Sequence, residues 1–190
     1  EYGIYTLVAT TAGIVALLAN VGLNNATQRY YWDSQTEPRM RPVLVSTGLA
    51  TLMAWSCALV LLLIAALHPA REAMAIRYGI TWAIAVIALA TIVPEQILQY
   101  CLDTLRLHFA PWKFAFVSFM KNILGIAVGL VLILLLDRGL EGLFLGGLVG
   151  AVAAVPIALF LIRRDLAVAF DSGIAKRLVS FGYPFIFAGM

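Results

Sequence analysis

The sequence predicts an all-α, multi-pass transmembrane helix bundle, and three observations carry that prediction. The 190 residues are 63% hydrophobic and only 12% charged, with a mean hydropathy of +0.96, whereas soluble domains carry about 25% charged residues. Five apolar segments of 21 to 26 residues follow one another with short connectors between them. Lys and Arg crowd into every other connector. At about 1.5 Å rise per residue, such segments cross a hydrocarbon core of about 30 Å. Lipid obliges each to be helical, because backbone N–H and C=O groups must find partners within the segment.

The first span, Gly3–Leu23, runs into a polar stretch in which Asn20, Asn24 and Gln28 fall on one helical face, with Arg29 alongside. Arg29 is open to two readings, a topology anchor or a cavity residue. The second span, Val43–Leu67, carries Cys57 near its middle.

The third span, Tyr78–Leu98, contains Pro94, which removes a backbone donor and crowds the preceding turn, so a kink is expected. Just past it come Glu95, Gln99 and Asp103 at i, i+4 and i+8, with Gln96 beside them and Arg106 three residues on. A shared face of this kind suits the wall of a water-filled cavity. The other reading is interhelical hydrogen bonding with an interfacial Asp103–Arg106 pair; the cavity suits Glu95 better, and packing suits Asp103 and Arg106 better.

The fourth span, Pro111–Leu136, places Lys121 and Asn122 ten and eleven residues in, about 15 Å deep. A charge there costs roughly 2.5–3.5 kcal/mol on insertion scales, and snorkelling relieves it less than at a helix end. Lys121 therefore favours a partly aqueous interior and suits an anionic headgroup. Glu95 is expected about 5 Å from the boundary, so a Glu95–Lys121 ion pair would have to bridge about 10 Å along the bundle axis. The sequence leaves that pair open.

The fifth span, Leu140–Ile162, repeats Gly142, Gly146 and Gly150 every four residues, continued by Ala154 and Ala158, and Gly125 and Gly129 repeat the spacing in the fourth. Small-residue stripes let helix backbones approach closely. A sixth span begins near Leu178 and is still apolar at Met190. The chain opens on Glu1 with no leader pattern, and it is expected to be a piece of a longer protein.

Counting cations by connector gives an orientation. Arg29, Arg39, Arg41, Arg106, Lys113, Arg163, Arg164, Lys176 and Arg177 make nine on one side; Arg71, Arg77 and Arg138 make three on the other. The positive-inside tendency puts the nine in the cytoplasm. The net charge of +3 and pI near 9.0 thus reflect topology. With no basic stripe carrying stacking aromatics, nucleic acid is not an expected partner.

Cys57 and Cys101 support neither a disulfide framework nor a zinc site. There is no phosphate-binding glycine loop, no nucleophile elbow and no zinc-protease pattern, and no serine has a nearby histidine to activate it. No cofactor, metal or enzymatic activity is expected.

Glu1-Tyr2-Gly3-Ile4-Tyr5, then an apolar helix ending Val21-Gly22-Leu23 and followed by Arg29, resembles the second helix of the polysaccharide and O-antigen flippases of the multidrug/oligosaccharidyl-lipid/polysaccharide exporter superfamily. Gln99 to Arg106 and Gly139-Leu140-Glu141-Gly142 resemble that family's fourth to sixth helices, and Phe181-Gly182-Tyr183-Pro184 the start of its seventh. The resemblance implies two helical bundles around a cavity, moving an isoprenoid-pyrophosphate-linked oligosaccharide across the bacterial cytoplasmic membrane by alternating access. Residues 1–177 would be the first bundle without its opening helix, and 178–190 the start of the second. It implies contacts to the substrate from basic residues, Arg29 and Lys121 first; the polar residues within the spans add Asn122, Glu95, Gln96, Gln99, Asn20 and Asn24 as further cavity candidates. Membrane lipid and a coupling cation are the other expected partners. A cation-coupled multidrug exporter, with Glu95 holding the ion, and a non-enzymatic membrane subunit of a glycan-assembly complex stand as alternatives.

Overall fold

The apolar segments fold as eight α-helices in the computed structural model, which describes residues 2–33 and 37–185. They are α1 (Tyr2–Asn20), α2 (Leu23–Tyr31), α3 (Arg41–Leu67), α4 (Arg71–Tyr78), α5 (Trp82–Leu107), α6 (Pro111–Leu136), α7 (Gly139–Leu161) and α8 (Ser172–Gly182). Short 3-10 turns at Pro38–Met40, His68–Ala70 and Arg163–Asp165 join some of them, and no strand occurs among the described residues. Five segments are long and apolar enough to cross a membrane, contributed by α1, α3 with its continuation through α4, α5, α6 and α7. Glu1 and Met190, which the sequence reading used, lie outside the described residues.

Local chemistry sets the helix ends, and it moves three of the expected boundaries. Gly79 adopts φ 67° and closes α4, while the Thr81 hydroxyl accepts from the Ile84 amide at 3.3 Å; the third span therefore starts at Trp82 rather than Tyr78. It then continues through Pro94 as far as Leu107. Asp171 Oδ1 accepts from the amides of Gly173 and Ile174 at 2.7 and 3.0 Å, so α8 begins six residues ahead of Leu178.

The first expected span is also interrupted. Val21 and Gly22 both take left-handed backbone angles, φ 48° and 63°, and separate α1 from α2. That conformation is costly for a β-branched residue. The elbow lies against Gly182: a Cβ on Gly22 would meet the Gly182 carbonyl oxygen, and one on Gly182 would meet the carbonyl of Val21. Two residues without side chains let α8 dock there.

Helix α5 is the most buried of the spans and packs on α1, α3, α6 and α7. Its Leu98, Tyr100 and Leu105 join Leu23, Leu52, Val117, Ile162 and Leu178 in a fully buried core. Helix α6 instead turns Phe116, Leu134 and Leu135 outward, an apolar exposure that suits contact with lipid. It holds α7 along the small-residue stripe: a Cβ on Gly146 would lie 2.5 Å from the Gly125 carbonyl oxygen, and one on Gly150 2.6 Å from that of Lys121.

Connector contacts define two ends. At one, the Tyr31 hydroxyl lies 3.4 Å from His108 Nε2, His108 pairs with Asp165 at 2.9 Å, and the Arg41 guanidinium stands 5.1 Å from the Tyr31 ring. At the other, the Thr81 hydroxyl donates to Glu141 at 3.0 Å, and Tyr5 meets Phe144 with ring centroids 5.6 Å apart. The connectors holding nine cations gather at the first end, as the charge alternation requires.

Candidate functional site

A cavity of about 420 Å³ opens between α1, α5, α6 and α7. Its walls are largely apolar, with Ile92, Ile126, Leu143 and Phe144 among them, and Tyr5, Thr91, Glu95, Lys121 and Asn122 bring polar groups to it. Lys121 Nζ contacts both carboxylate oxygens of Glu95, at 2.6 and 2.7 Å. The two side chains are 26% and 35% exposed, so the pair faces the cavity and is not sealed.

The 10 Å axial gap expected between these residues is absent because α5 runs longer than the third apolar span. Glu95 stands twelve residues before Leu107, and Lys121 ten residues after Pro111. At about 1.5 Å per residue these are depths of about 18 and 15 Å from the same end. The two charges therefore lie level along the bundle, where mutual neutralisation offsets part of the cost of burying either.

The remaining polar residues of α5 do not share that wall. A helix turns about 100° per residue, so Gln96 points well away from Glu95, and Asp103, eight residues on, is rotated by about 80°. Gln96 is buried against α1, donating to the Ala16 carbonyl at 3.1 Å and accepting from Asn20 at 3.0 Å. Asp103 accepts from Asn24 at 2.8 Å, Gln99 at 3.2 Å and Arg106 at 3.0 Å. The buried Tyr100 hydroxyl donates to the Val45 carbonyl at 2.9 Å. The expected common face of Glu95, Gln99 and Asp103 therefore divides into a cavity residue and a hydrogen-bonded seam that fastens α2 to α5.

The expected face of Asn20, Asn24 and Gln28 divides as well, because the elbow at Val21 and Gly22 lies between the asparagines. Asn20 serves Gln96 and Asn24 serves Asp103. Arg29 is exposed, with its guanidinium 4.8 Å from the centre of the Phe181 ring, and does not line the cavity. Of the eight candidates, Glu95, Lys121 and Asn122 come together; Asn20, Asn24 and Gln96 make helix–helix hydrogen bonds, and Gln99 bonds to Asp103 within α5.

Tyr5, Thr91 and Phe144 are wall residues that pattern reasoning did not select. An aromatic or Thr inside an apolar run carries no periodic signal; only Tyr5 lay in a segment already noted. Outside the spans, burial pushes the Tyr31 phenol above its ordinary pKa, and the nearby Asp165 carboxylate adds to the shift. No group of acidic, His and Cys side chains suited to a metal occurs among the described residues.

A family model described as a polysaccharide biosynthesis protein matches residues 1–190. No curated protein and no solved structure matches the chain.

Proposed function

The chain belongs to the polysaccharide biosynthesis protein family, and from that membership we propose that it is the membrane part of a flippase for a lipid-linked oligosaccharide. In this reading the protein resides in a bacterial cytoplasmic membrane, catalyses no covalent chemistry, and passes an isoprenoid-pyrophosphate glycan outward by alternating access. Residues 1–177 form a first bundle, and 178–190 open a second.

One observation carries the proposal: a cavity between α1, α5, α6 and α7 holds a lysine whose charge a glutamate answers. An anionic diphosphate entering the cavity exchanges the Glu95 carboxylate for its own oxygens on Lys121, so the cation is satisfied both with and without substrate. Asn122 supplies a neutral donor and acceptor for sugar hydroxyls beside it. The same geometry supports a second reading, cation-coupled export, because Glu95 freed from Lys121 offers a carboxylate to a proton or metal cation.

The test is Lys121→Ala in cells that depend on this protein for surface glycan. Loss of one charge-assisted contact is worth about 1.5–3 kcal/mol, so surface glycan should fall by about tenfold or more while membrane protein level holds. Lipid-linked glycan should accumulate on the inner leaflet. Normal export by Lys121→Ala would overturn the reading, and loss of drug efflux with intact glycan would favour the cation-coupled exporter.

A further inference from the structure

At the end of the bundle where the nine cations gather, the first turn of α6, the last turn of α7 and the residues just after it line a smaller, open cavity of about 240 Å³. Lys113, Phe160, Leu161, Arg163 and Arg164 line it, and no acidic residue does. It shares no lining residue with the Glu95–Lys121 cavity.

None of the ion pairs found among the described residues involves Lys113, Arg163 or Arg164. Asp165, the nearest acid in sequence, is already held by His108 at 2.9 Å. Lys113 also lies two residues into α6, where the helix dipole is itself positive and disfavours a cation. A group of like charges kept in this arrangement calls for an anion.

The surroundings select the kind of anion. The Arg163 guanidinium stands 4.2 Å from the centre of the Phe160 ring, which remains 60% exposed. Trp112 is 86% and Phe116 54% exposed on α6, leading onto the helix's outward apolar face. Aromatic side chains at a span end mark the headgroup level of a bilayer, and basic pockets between helices there suit lipid phosphates. We propose that Lys113, Arg163 and Arg164 form a binding site for the phosphate headgroup of an anionic phospholipid, whose acyl chains lie along the exposed face of α6. A free phosphate would meet the same cations but gain nothing from that apolar face. The inference rests on the membrane-spanning fold alone and is independent of what the protein transports.

The experiment is native mass spectrometry of protein released from bilayers of phosphatidylcholine with a minor share of phosphatidylglycerol. Wild-type protein should retain phosphatidylglycerol selectively, and excess inorganic phosphate should not remove it. Lys113→Gln, Arg163→Gln and Arg164→Gln together should cut retention by about tenfold or more. A charge-matched control, Arg39→Gln, Lys176→Gln and Arg177→Gln, should keep it. Undiminished retention in the first triple variant would overturn the proposal. So would equal loss in the control, equal retention of phosphatidylcholine, or displacement by inorganic phosphate.

Discussion

Lys121 of α6 grips both oxygens of the Glu95 carboxylate of α5, at 2.6 and 2.7 Å, from residues 26 positions apart in the chain. The contact joins α5 to α6, which also meet where the Arg106 guanidinium stands 4.5 Å from the Phe114 ring, and it places a charged pair of the cavity about midway along both helices.

Reversing that pair should be tolerated only when both partners change. Lys121→Glu alone sets two carboxylates face to face, and Glu95→Lys alone two ammonium groups. Breaking a fully buried pair costs about 3–5 kcal/mol. Here the side chains are 26% and 35% exposed, so each single variant should lose about 2 kcal/mol. The double exchange should recover at least half of that. Thermal melting of the four detergent-purified proteins gives the coupling directly.

Asp103 should matter for stability in a way that its ion-pair partner does not. Asp103→Ala leaves the buried Asn24 amide without its acceptor, a penalty of about 1–3 kcal/mol. Arg106 is 59% exposed, and Arg106→Ala should cost no more than about 1 kcal/mol. Both variants should leave substrate selectivity unchanged once membrane levels are matched. Melting temperature and normalised export together check this assignment of Asp103 to the seam between α2 and α5.

Adjacent glycines of α7 should respond differently to an added side chain. A Cβ on Gly146 would lie 2.5 Å from the Gly125 carbonyl oxygen and 2.7 Å from Gly129 Cα, whereas one on Gly147 would meet nothing within 4 Å. Gly146→Val must push α6 and α7 apart and should cost about 1–3 kcal/mol. Gly147→Ala should be neutral or stabilise by up to about 1 kcal/mol through helix propensity. The same melting assay distinguishes them.

These cases divide by the kind of information each needs. Lys121 stood out as a candidate because a lysine ten residues into an apolar span is costly wherever its neighbours are. The Gly142–Gly146–Gly150 stripe was legible for a similar reason: a repeat of four is nearly one helical turn, and small residues on one face have few uses besides close packing. Arg29 was ambiguous, since a cation just past a span end serves topology whether or not it faces a cavity. The structure puts it over Phe181.

What misled the polar faces was accumulated angle and a hidden break. Residues eight apart on a helix differ by about 80°, enough to send Glu95 to α6 and Asp103 to α2. The elbow at Val21 has no local signature, because a valine does not favour left-handed backbone. The close docking of Gly182 against Gly22 accompanies it there.

The sequence by itself determined a membrane-spanning helical ladder, its spans and the segregation of its cations, since solvation by lipid and the cost of moving charge act on each segment separately. Tertiary structure alone decided that Glu95 meets Lys121, that Asp103 and Asn24 tie α2 to α5, and where the cavities open. Those depend on the length and rotation of helices relative to one another, which emerge only when side chains from distant segments compete for the same space.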